Sequence, residues 1–291
     1  MKISVCIKQV PDVTAYMEID PFTGEIDRDD IAYVLNPYDV VAVEEALRIK
    51  DEMPDSEISA LSLGPKRVKA ALRSCLAMGD IDRAIHLRDN AFEGLDKYAM
   101  SLVLTRAIES SGYDIILCGR QSIDDNDGQI GAHISEFLGI PMVSDISKLD
   151  VLAGGKKAVV QRMLAYGDRE IVDCRLPAVF TVSMALNTPR YPSFPHSLNA
   201  LRQEIVELNS DSLDLRRELA FDTKRVVTRE ISFPKPRPRN IVLPNSDLPV
   251  HERLDFLMSG GISNKGCQFL EGNRETVASK LVEIFNKNGI L

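Results

Sequence analysis

The segment YDIILCGRQSIDDNDGQIGAHISEFLGIP, residues 113–141, decides the fold class. It starts with a short apolar run, residues 113–118, which is typical of a buried parallel strand. Gly119 then opens a polar loop, and residues 129–138 have the pattern of a helix that Gly139 ends. A strand, a loop and a helix in this order form one repeating unit of a parallel sheet.

The rest of the first half repeats this alternation. Apolar runs predict strands at residues 1–7, 56–63 and 83–87, and helices are predicted after Asn36-Pro37, at about residues 67–77 and at about residues 94–110. This order predicts an α/β fold with a doubly wound, mostly parallel sheet that carries helices on both faces. In such sheets, ligands bind at the carboxyl ends of the strands.

The second half has a different character. It is predicted to contain a hairpin at residues 151–174 with its turn at 153–157, a strand at 178–182, a Pro-rich loop at 187–196, a Pro-rich stretch at 233–239, and helices at 252–258 and 273–287. A smaller hairpin is predicted earlier, at residues 17–27. We therefore expect a core domain at residues 1–186, a loop and its return to the core at 187–232, and a C-terminal arm at 233–291 with an insertion at 240–263.

Composition excludes several classes of protein. The 291 residues are 44% hydrophobic and 27% charged, which supports a real core. With 35 basic and 43 acidic residues the net charge is −8, so nucleic acid is not an expected partner. The N-terminus has the pattern of a strand and not of a targeting segment. Five scattered cysteines indicate reduced thiols, as in the cytoplasm.

Common catalytic motifs are missing from this sequence. We find no GxGxxG after the first strand, no GxxxxGK[ST], no GxSxG and no HExxH. The candidate ligand site is instead the loop at residues 118–131, which follows a strand and precedes a helix whose N-terminus could receive a phosphate. The alternative is that its Asp and Asn residues are ordinary helix caps, and both interpretations stay open.

Other strand ends could converge with this loop, at residues 6–8, 36–39 and 63–66. Asn36 suits either a helix N-cap or a ligand contact, and Cys6 suits a small buried hydrophobe. The basic residues at 66, 67 and 69 start a helix, where they could meet a phosphate, although a solvated helix face is the favoured interpretation.

The loop at residues 187–196 presents Tyr191 and Phe194 on a Pro-stiffened backbone. Stiffening lowers the entropy that is lost on binding, and an aromatic side chain is a common anchor at interfaces. The loop is therefore either a partner-binding anchor or a loop whose aromatic rings fold back onto the core.

Several of these segments together resemble one known family. They are KQVPD (8–12), IDPFTG (19–24), LNPYD and AVEEALRIK (35–50), GRQSIDDNDGQIG (119–131) with FLGIP, LPAVFTV (176–182), NTPRYPSFP (187–195) and EGNRETVASKLVEIF (271–285). Each is weak alone, but their order and spacing resemble the β subunit of electron transfer flavoproteins.

The resemblance implies an adenine-nucleotide-binding, Rossmann-like domain that pairs with a larger α subunit holding FAD. The β subunit would bury AMP, without a redox role, and would act as an electron carrier that performs no bond chemistry of its own. The positions that match the family's nucleotide site are Cys6, Asn36, Pro37, Tyr38, Asp39, Leu63, Gly119, Arg120, Gln121, Ser122, Ile123, Asp124, Asp125, Asn126, Asp127, Gly128, Gln129 and Ile130.

The resemblance also implies partners. Residues 187–198 match the family's recognition loop, in which Tyr191, Phe194, Pro195 and Leu198 are the expected contacts. Acyl-CoA dehydrogenases would donate electrons at this loop, and a membrane quinone-linked oxidoreductase would accept them. Phe194 stands where relatives usually have Leu, which keeps an apolar anchor. The C-terminal arm would wrap the α subunit.

Two alternatives to this assignment remain. In electron-bifurcating relatives the same pocket holds a second FAD at which NADH reacts. Asp125 and Ala132 replace the glycine and proline typical of those relatives, which favours AMP. The N-terminal motifs, and Val13 where some AMP-type relatives have tyrosine, point the other way. The remaining alternative is a stand-alone nucleotide-binding module, since doubly wound folds host many functions.

Overall fold

A computed structural model describes residues 1–12, 14, 31–152, 154–215, 225–226, 248–258, 270 and 272–287. The chain divides into two compact units, residues 1–232 and 233–291. Among the residues so described, no helix combines the length and the apolar character needed to cross a membrane.

The first unit contains an extensive set of strands and helices. The strands are β1 (Lys2–Cys6), β2 (Gln9–Pro11), β3 (Tyr33–Leu35), β4 (Glu57–Leu63), β5 (Arg83–Leu87), β6 (Ile115–Gly119), β7 (Met142–Val151), β8 (Lys157–Met163), β9 (Arg169–Arg175), β10 (Ala178–Val182) and β11 (Ile205–Leu208). The helices are α1 (Pro37–Glu52), α2 (Val68–Met78), α3 (Lys97–Ser111), α4 (Ile130–Leu138) and α5 (Phe194–Arg202), with short 3₁₀ turns at Asn90–Phe92 and Ala165–Gly167.

The main sheet confirms the predicted fold class. Within the described residues its strand order is β11-β5-β4-β1-β6-β10-β7-β8-β9, and β2 pairs with β3 in a separate antiparallel ribbon. Neighbouring strands from β11 to β7 are parallel, whereas β7, β8 and β9 are antiparallel. After β1 the chain builds β4 and β5 on one side, and β6 then lies on the other side of β1. The boundary between β1 and β6 is therefore the topological switch point of the sheet.

The central strands are buried because both of their faces are covered. In β6, Ile115 and Leu117 belong to the core that contains α1 and α2 residues such as Leu47 and Leu72. Side chains alternate between the faces of a strand, so Ile116 and Cys118 lie on the other side, with Ile108 of α3 and Ile134 of α4. This explains why these strands are continuous apolar runs in the sequence.

Three sequence expectations for the first unit need correction. The predicted hairpin at 151–174 corresponds to β8 and β9, the second and third strands of a meander that starts with β7 at Met142. Its predicted turn at 153–157 lies between β7 and β8, whereas the turn between β8 and β9 lies at 164–168. The predicted loop at 187–196 ends earlier than expected, because α5 begins at Phe194. There Ser193 accepts a hydrogen bond from the His196 N–H, and proline is tolerated in the first turn. Strand β11 was missed, since it is a short, half-exposed edge strand.

The second unit contains α6 (Val250–Met258) and α7 (Arg274–Lys287), which confirms both helices predicted in this part of the chain. Asn273 caps α7, since its side-chain oxygen accepts a hydrogen bond of 2.9 Å from the Thr276 N–H. The predicted hairpin at 17–27, the Pro-rich stretch at 233–239 and most of the insertion at 240–263 lie outside the described residues.

Candidate functional site

A cavity of about 1030 Å³ lies at the carboxyl ends of β1, β4 and β6. This is the switch point of the sheet, where open α/β folds bind their ligands. Most of its wall comes from five parts of the chain that are distant in sequence. They are the ends of β1, β4 and β5 with the residues that follow them, the start of α1, and the loop between β6 and α4. Residues of α3 (Lys97, Met100 and Leu104), with Ile31 and Tyr33, line the cavity as well.

Two adjacent cysteines line the cavity. Cys6 of β1 and Cys118 of β6 are paired in register, and their side chains are 7% and 4% exposed. The hydrogen bond with Cys6, together with burial, raises the pKa of the Cys118 thiol. Cys118 is therefore protonated at neutral pH and acts as a small apolar side chain and not as a nucleophile.

Asn36 lies at the N-terminus of α1, where the sequence allowed either a cap or a ligand contact. Its side chain makes no capping hydrogen bond. Instead, its Nδ2 donates to the Gln121 carbonyl (3.0 Å) and its Oδ1 accepts from the Ile123 N–H (3.3 Å). Asn36 is 1% exposed, so these two bonds tie the loop after β6 to the start of α1.

Asp39, in the first turn of α1, is a buried carboxyl group beside the cavity. Burial raises its pKa to about 7, although hydrogen bonds from the Lys8 backbone, the Asn36 side chain and the Gly119 backbone act in the opposite direction. The Lys8 N–H donates to Oδ2 over 2.7 Å. Asp39 therefore joins the ends of β1 and β6 to α1.

Gly119 was expected to allow a close approach of the backbone, and the structure shows which groups approach it. A Cβ atom at this position would overlap Oδ1 of Asp39 and lie 2.8 Å from Cβ of Tyr38. Further along the loop, Gly128 has φ +63°, a conformation that glycine adopts without strain. The loop between β6 and α4 thus depends on glycine at its start and at its end.

Three aspartates of this loop lie against two lysines, which offset part of their charge. Lys8 Nζ contacts Asp124 (2.7 Å) and Asp125 (2.9 Å). Lys97 Nζ forms an ion pair with Asp125 and lies 3.8 Å from Asp127. Burial acts against ionisation of Asp124 and Asp125, but hydrogen bonds from the lysines and from Ser122 lower the pKa of both carboxyls. Asp124 and Asp125 are therefore ionised and held in place at neutral pH.

The start of α4 completes this wall of the cavity. Gly128, Gln129 and Ile130 line the cavity, and Gln129 at the N-cap position makes no side-chain capping bond. The first N–H groups of α4 therefore have no side-chain acceptor at the cap, and a helix N-terminus attracts anions. Lys8 and Lys97 lie on the same wall, where they offset part of the charge of the aspartates beside this helix N-terminus.

Most of the nucleotide-site residues expected from the sequence line this one cavity. They are Cys6, Asn36, Asp39, Leu63, Gly119, Gln121, Ser122, Ile123, Asp124, Asp125, Asp127, Gly128, Gln129 and Ile130. Four others do not line it: Pro37, Tyr38, Arg120 and Asn126. Arg120 instead pairs with Asp145 at 3.0 Å, and Asn126 accepts a hydrogen bond from the Gln121 side chain.

The site residues expected from the sequence did not include the five basic residues that line the cavity. They are Lys8, Lys66, Arg67, Arg88 and Lys97. Lys8 and Lys66 lie at two of the strand ends that could converge with the loop, residues 6–8 and 63–66. For Lys66 and Arg67, however, the favoured interpretation was a solvated helix face. Arg88 was missed, although it directly follows β5 and so also lies at the carboxyl end of a strand. Lys97 was also missed, and it starts α3 after a 3₁₀ turn, where no strand end points to it.

The expected partner-binding residues lie around the start of α5. Tyr191 is 94% exposed and Phe194 is 80% exposed, so neither ring folds back onto the core. Pro195 is exposed and Leu198 is 40% exposed, one turn further along α5. The structure therefore places these four side chains in one exposed segment, which has the apolar character of an anchor.

Comparison with known proteins gives a consistent result. The family model "Electron transfer flavoprotein domain" matches residues 23–213. The chain is 41% identical over 216 residues to the electron transfer flavoprotein subunit beta of Thermoanaerobacterium thermosaccharolyticum, covering 74% of this chain and 81% of the relative. It is 40% identical over 219 residues to the caffeyl-CoA reductase-Etf complex subunit CarD of Acetobacterium woodii (75% and 82% covered). It is 34% identical over 275 residues to the electron transfer flavoprotein subunit beta of Megasphaera elsdenii (91% and 99% covered).

Proposed function

Because the chain belongs to the electron transfer flavoprotein family as a β subunit, we propose that it pairs with an α subunit and buries AMP in the cavity at the switch point. The α subunit would hold the FAD that carries electrons. The complex would accept them from acyl-CoA dehydrogenases and pass them to a membrane quinone-linked oxidoreductase. We place it in the cytoplasm, in agreement with free thiols at Cys6, Cys75, Cys118 and Cys174.

The observation that carries the nucleotide assignment is the convergence of five distant segments on one cavity. Lysines and an uncapped helix N-terminus lie on the wall formed by the loop after β6, which suits a phosphate. Apolar groups such as Leu63, Phe92 and Leu104 line the cavity as well, which suits a base. A mononucleotide needs both kinds of surface.

In this proposal the β subunit contributes binding and not bond chemistry. Asn36 and Asp39 fix the loop, Lys8 and Lys97 offset its negative charge, and the backbone N–H groups of α4 face the phosphate. The flavin supplies the redox chemistry, and the two subunits tune its environment and control access to it.

The first experiment identifies the nucleotide. The co-purified αβ complex is denatured, and the released nucleotides are separated by chromatography and quantified by absorbance. One FAD and one AMP per complex is the expected result. A complex that releases FAD and no other adenine compound would contradict the AMP assignment.

The second candidate function is electron bifurcation, with a second FAD in the β subunit. The observation that favours it is the size of the cavity, since about 1030 Å³ is at the upper end of small-molecule sites. Two FAD per complex, together with oxidation of NADH, would identify this activity. The same chromatogram therefore separates the two candidates.

The proposed donor site is tested separately from the nucleotide site. Phe194→Ala should slow electron transfer from an acyl-CoA dehydrogenase about tenfold, because it removes an exposed apolar anchor. Val206→Ala, which shortens a 41% exposed apolar side chain on β11, is the matched control and should leave the rate unchanged. Equal rates for both variants would rule out Phe194 as the anchor.

A further inference from the structure

The loop that carries Tyr191 is tied to α1 by a cluster of charged groups. The Arg190 guanidinium binds both oxygens of Glu44, with Nε at 2.9 Å from Oε2 and Nη2 at 3.0 Å from Oε1. The Arg190 backbone N–H donates to Oε2 of the same carboxylate over 3.0 Å. Nη2 also lies 2.8 Å from Oδ2 of Asp51, in the last turn of α1. Arg190 is thus held at both its backbone and its side chain.

The environment of this cluster makes it rigid. The Glu44 side chain is 6% exposed and that of Arg190 is 34% exposed. A buried carboxylate is costly to leave without a partner, so breaking the pair is strongly unfavourable. The hydrogen bonds with Glu44 raise the pKa of Arg190, which is therefore always charged. A planar guanidinium that binds a carboxylate through two parallel bonds also fixes the orientation of its own backbone.

Further contacts hold both ends of the segment that consists of residues 187–203. Before Arg190, the Asn187 amide donates to the Val41 carbonyl (3.1 Å) and to Oε2 of Glu45 (2.8 Å). At the far end, the Arg73 guanidinium donates to the carbonyls of Ala200 and Gln203, where α5 ends. Between these ties the segment exposes the side chains of Tyr191, Phe194 and Leu198. The exposed side chains therefore depend on these contacts for their position.

We infer that Arg190 and Glu44 are a positioning pair, which holds the Tyr191–Phe194 turn in the conformation that docks a protein electron donor. The inference rests on the proposed function, because it assumes that Phe194 is the anchor. The physical reason is entropic. An exposed loop that is already ordered loses less conformational freedom on binding, so fixing its base strengthens docking without adding a contact. Arg190 acts through Phe194 and does not itself need to touch the donor.

The test compares single and double variants of the αβ complex with an acyl-CoA dehydrogenase as donor. Arg190→Lys keeps the charge but cannot form the two parallel bonds to Glu44. We expect it to raise the KM for the donor about tenfold, with kcat within about twofold and reduction by dithionite unchanged. Arg106→Lys is the matched control, since Arg106 also lies against a glutamate, Glu109 at 3.1 Å, but on the exposed surface of α3 and away from the loop.

A double variant distinguishes positioning from general stability. In the Phe194→Ala background, Arg190→Lys should change the KM less than about twofold, because the side chain that it positions is gone. A tenfold change in both backgrounds, or no change in either, would overturn the inference. If Phe194→Ala alone has no effect, the proposed anchor fails, which is a separate result. Should Arg190→Lys prevent assembly, Glu44→Gln, which removes only the charge of the partner, replaces it in the same cycle.

Discussion

Gly119 at the end of β6 and Asp39 in the first turn of α1 are in such close contact that a Cβ on Gly119 would overlap Oδ1 of the carboxyl group. This contact brings the loop after β6 onto the start of α1. The same carboxyl group accepts the Lys8 N–H at the end of β1. One buried side chain thus connects three of the elements that form the cavity.

Gly119→Ala should therefore disrupt the nucleotide site. The added methyl group would displace Asp39 or Tyr38, and overpacking of this kind costs about 1–3 kcal/mol. We expect less bound nucleotide per αβ complex and a lower melting temperature. Gly139→Ala is the control, because that glycine has φ +62° and a Cβ there would meet nothing within 4 Å, so it reports only the backbone cost. Equal nucleotide content in both variants would show that the close contact is unimportant.

Asn36→Ser tests whether the Asn36 side chain stabilises the loop after β6 or caps helix α1. Serine is a good N-cap, so a capping role would survive the substitution. The bonds to Gln121 and Ile123 would be lost, which leaves buried polar groups unpaired at a cost of about 1–3 kcal/mol. We expect loss of nucleotide with unchanged helix content by circular dichroism. Asn273→Ser, at a residue that does cap its helix, should be nearly neutral.

Lys8→Met should weaken nucleotide binding in a salt-dependent way. Without Lys8, Asp124 loses its ion-pair partner, and its negative charge repels the phosphate. We expect a loss of affinity of about tenfold at low salt and a smaller loss at high salt, because salt screens repulsion between partly exposed charges. Lys148→Met, which removes a more exposed lysine paired with Asp150, is the control for charge alone. A loss that is independent of salt would contradict the electrostatic explanation.

Asp39→Asn should change how stability depends on pH. The pKa of Asp39 is about 7 in the folded chain against 3.8 as its ordinary value, so the folded state binds the proton more tightly. Its contribution to the free energy of unfolding is therefore greatest below about pH 4 and is lost as pH rises through about 7. The variant cannot titrate at this position. The stability of the wild-type complex relative to the variant should fall by about 2 kcal/mol between about pH 5.5 and pH 8.

Urea unfolding of the αβ complex at the two pH values measures this difference. Asp114→Asn is the control, since Asp114 also accepts a backbone N–H, that of Lys2, over 2.7 Å but lies at the other end of β1. The difference in unfolding free energy between Asp114→Asn and the wild type corrects for the loss of one carboxylate. If the wild type and Asp39→Asn differ by the same amount at both pH values, Asp39 does not titrate in this range.

Local patterns account for the parts of the fold that the sequence predicted correctly. Strands β5 and β10 match their predicted bounds, because short apolar runs are typical of parallel strands that are covered on both faces. Strand β11 and helix α5 were not predicted. β11 is stabilised by pairing with β5 and not by its own composition, and Phe194-Pro195 is helical because Ser193 caps it.

The sequence by itself determined the α/β fold class and the position of the loop between β6 and α4, because apolar periodicity and glycine positions are local properties of the chain. Only the tertiary structure decided how charges and polar groups pair. Lys8 meets Asp124 across 116 residues, and Arg190 meets Glu44 across 146. The first pair forms because the sheet brings the carboxyl ends of its strands to one edge. The second forms because α1 packs against the loop that carries Arg190. No local sequence pattern encodes either proximity.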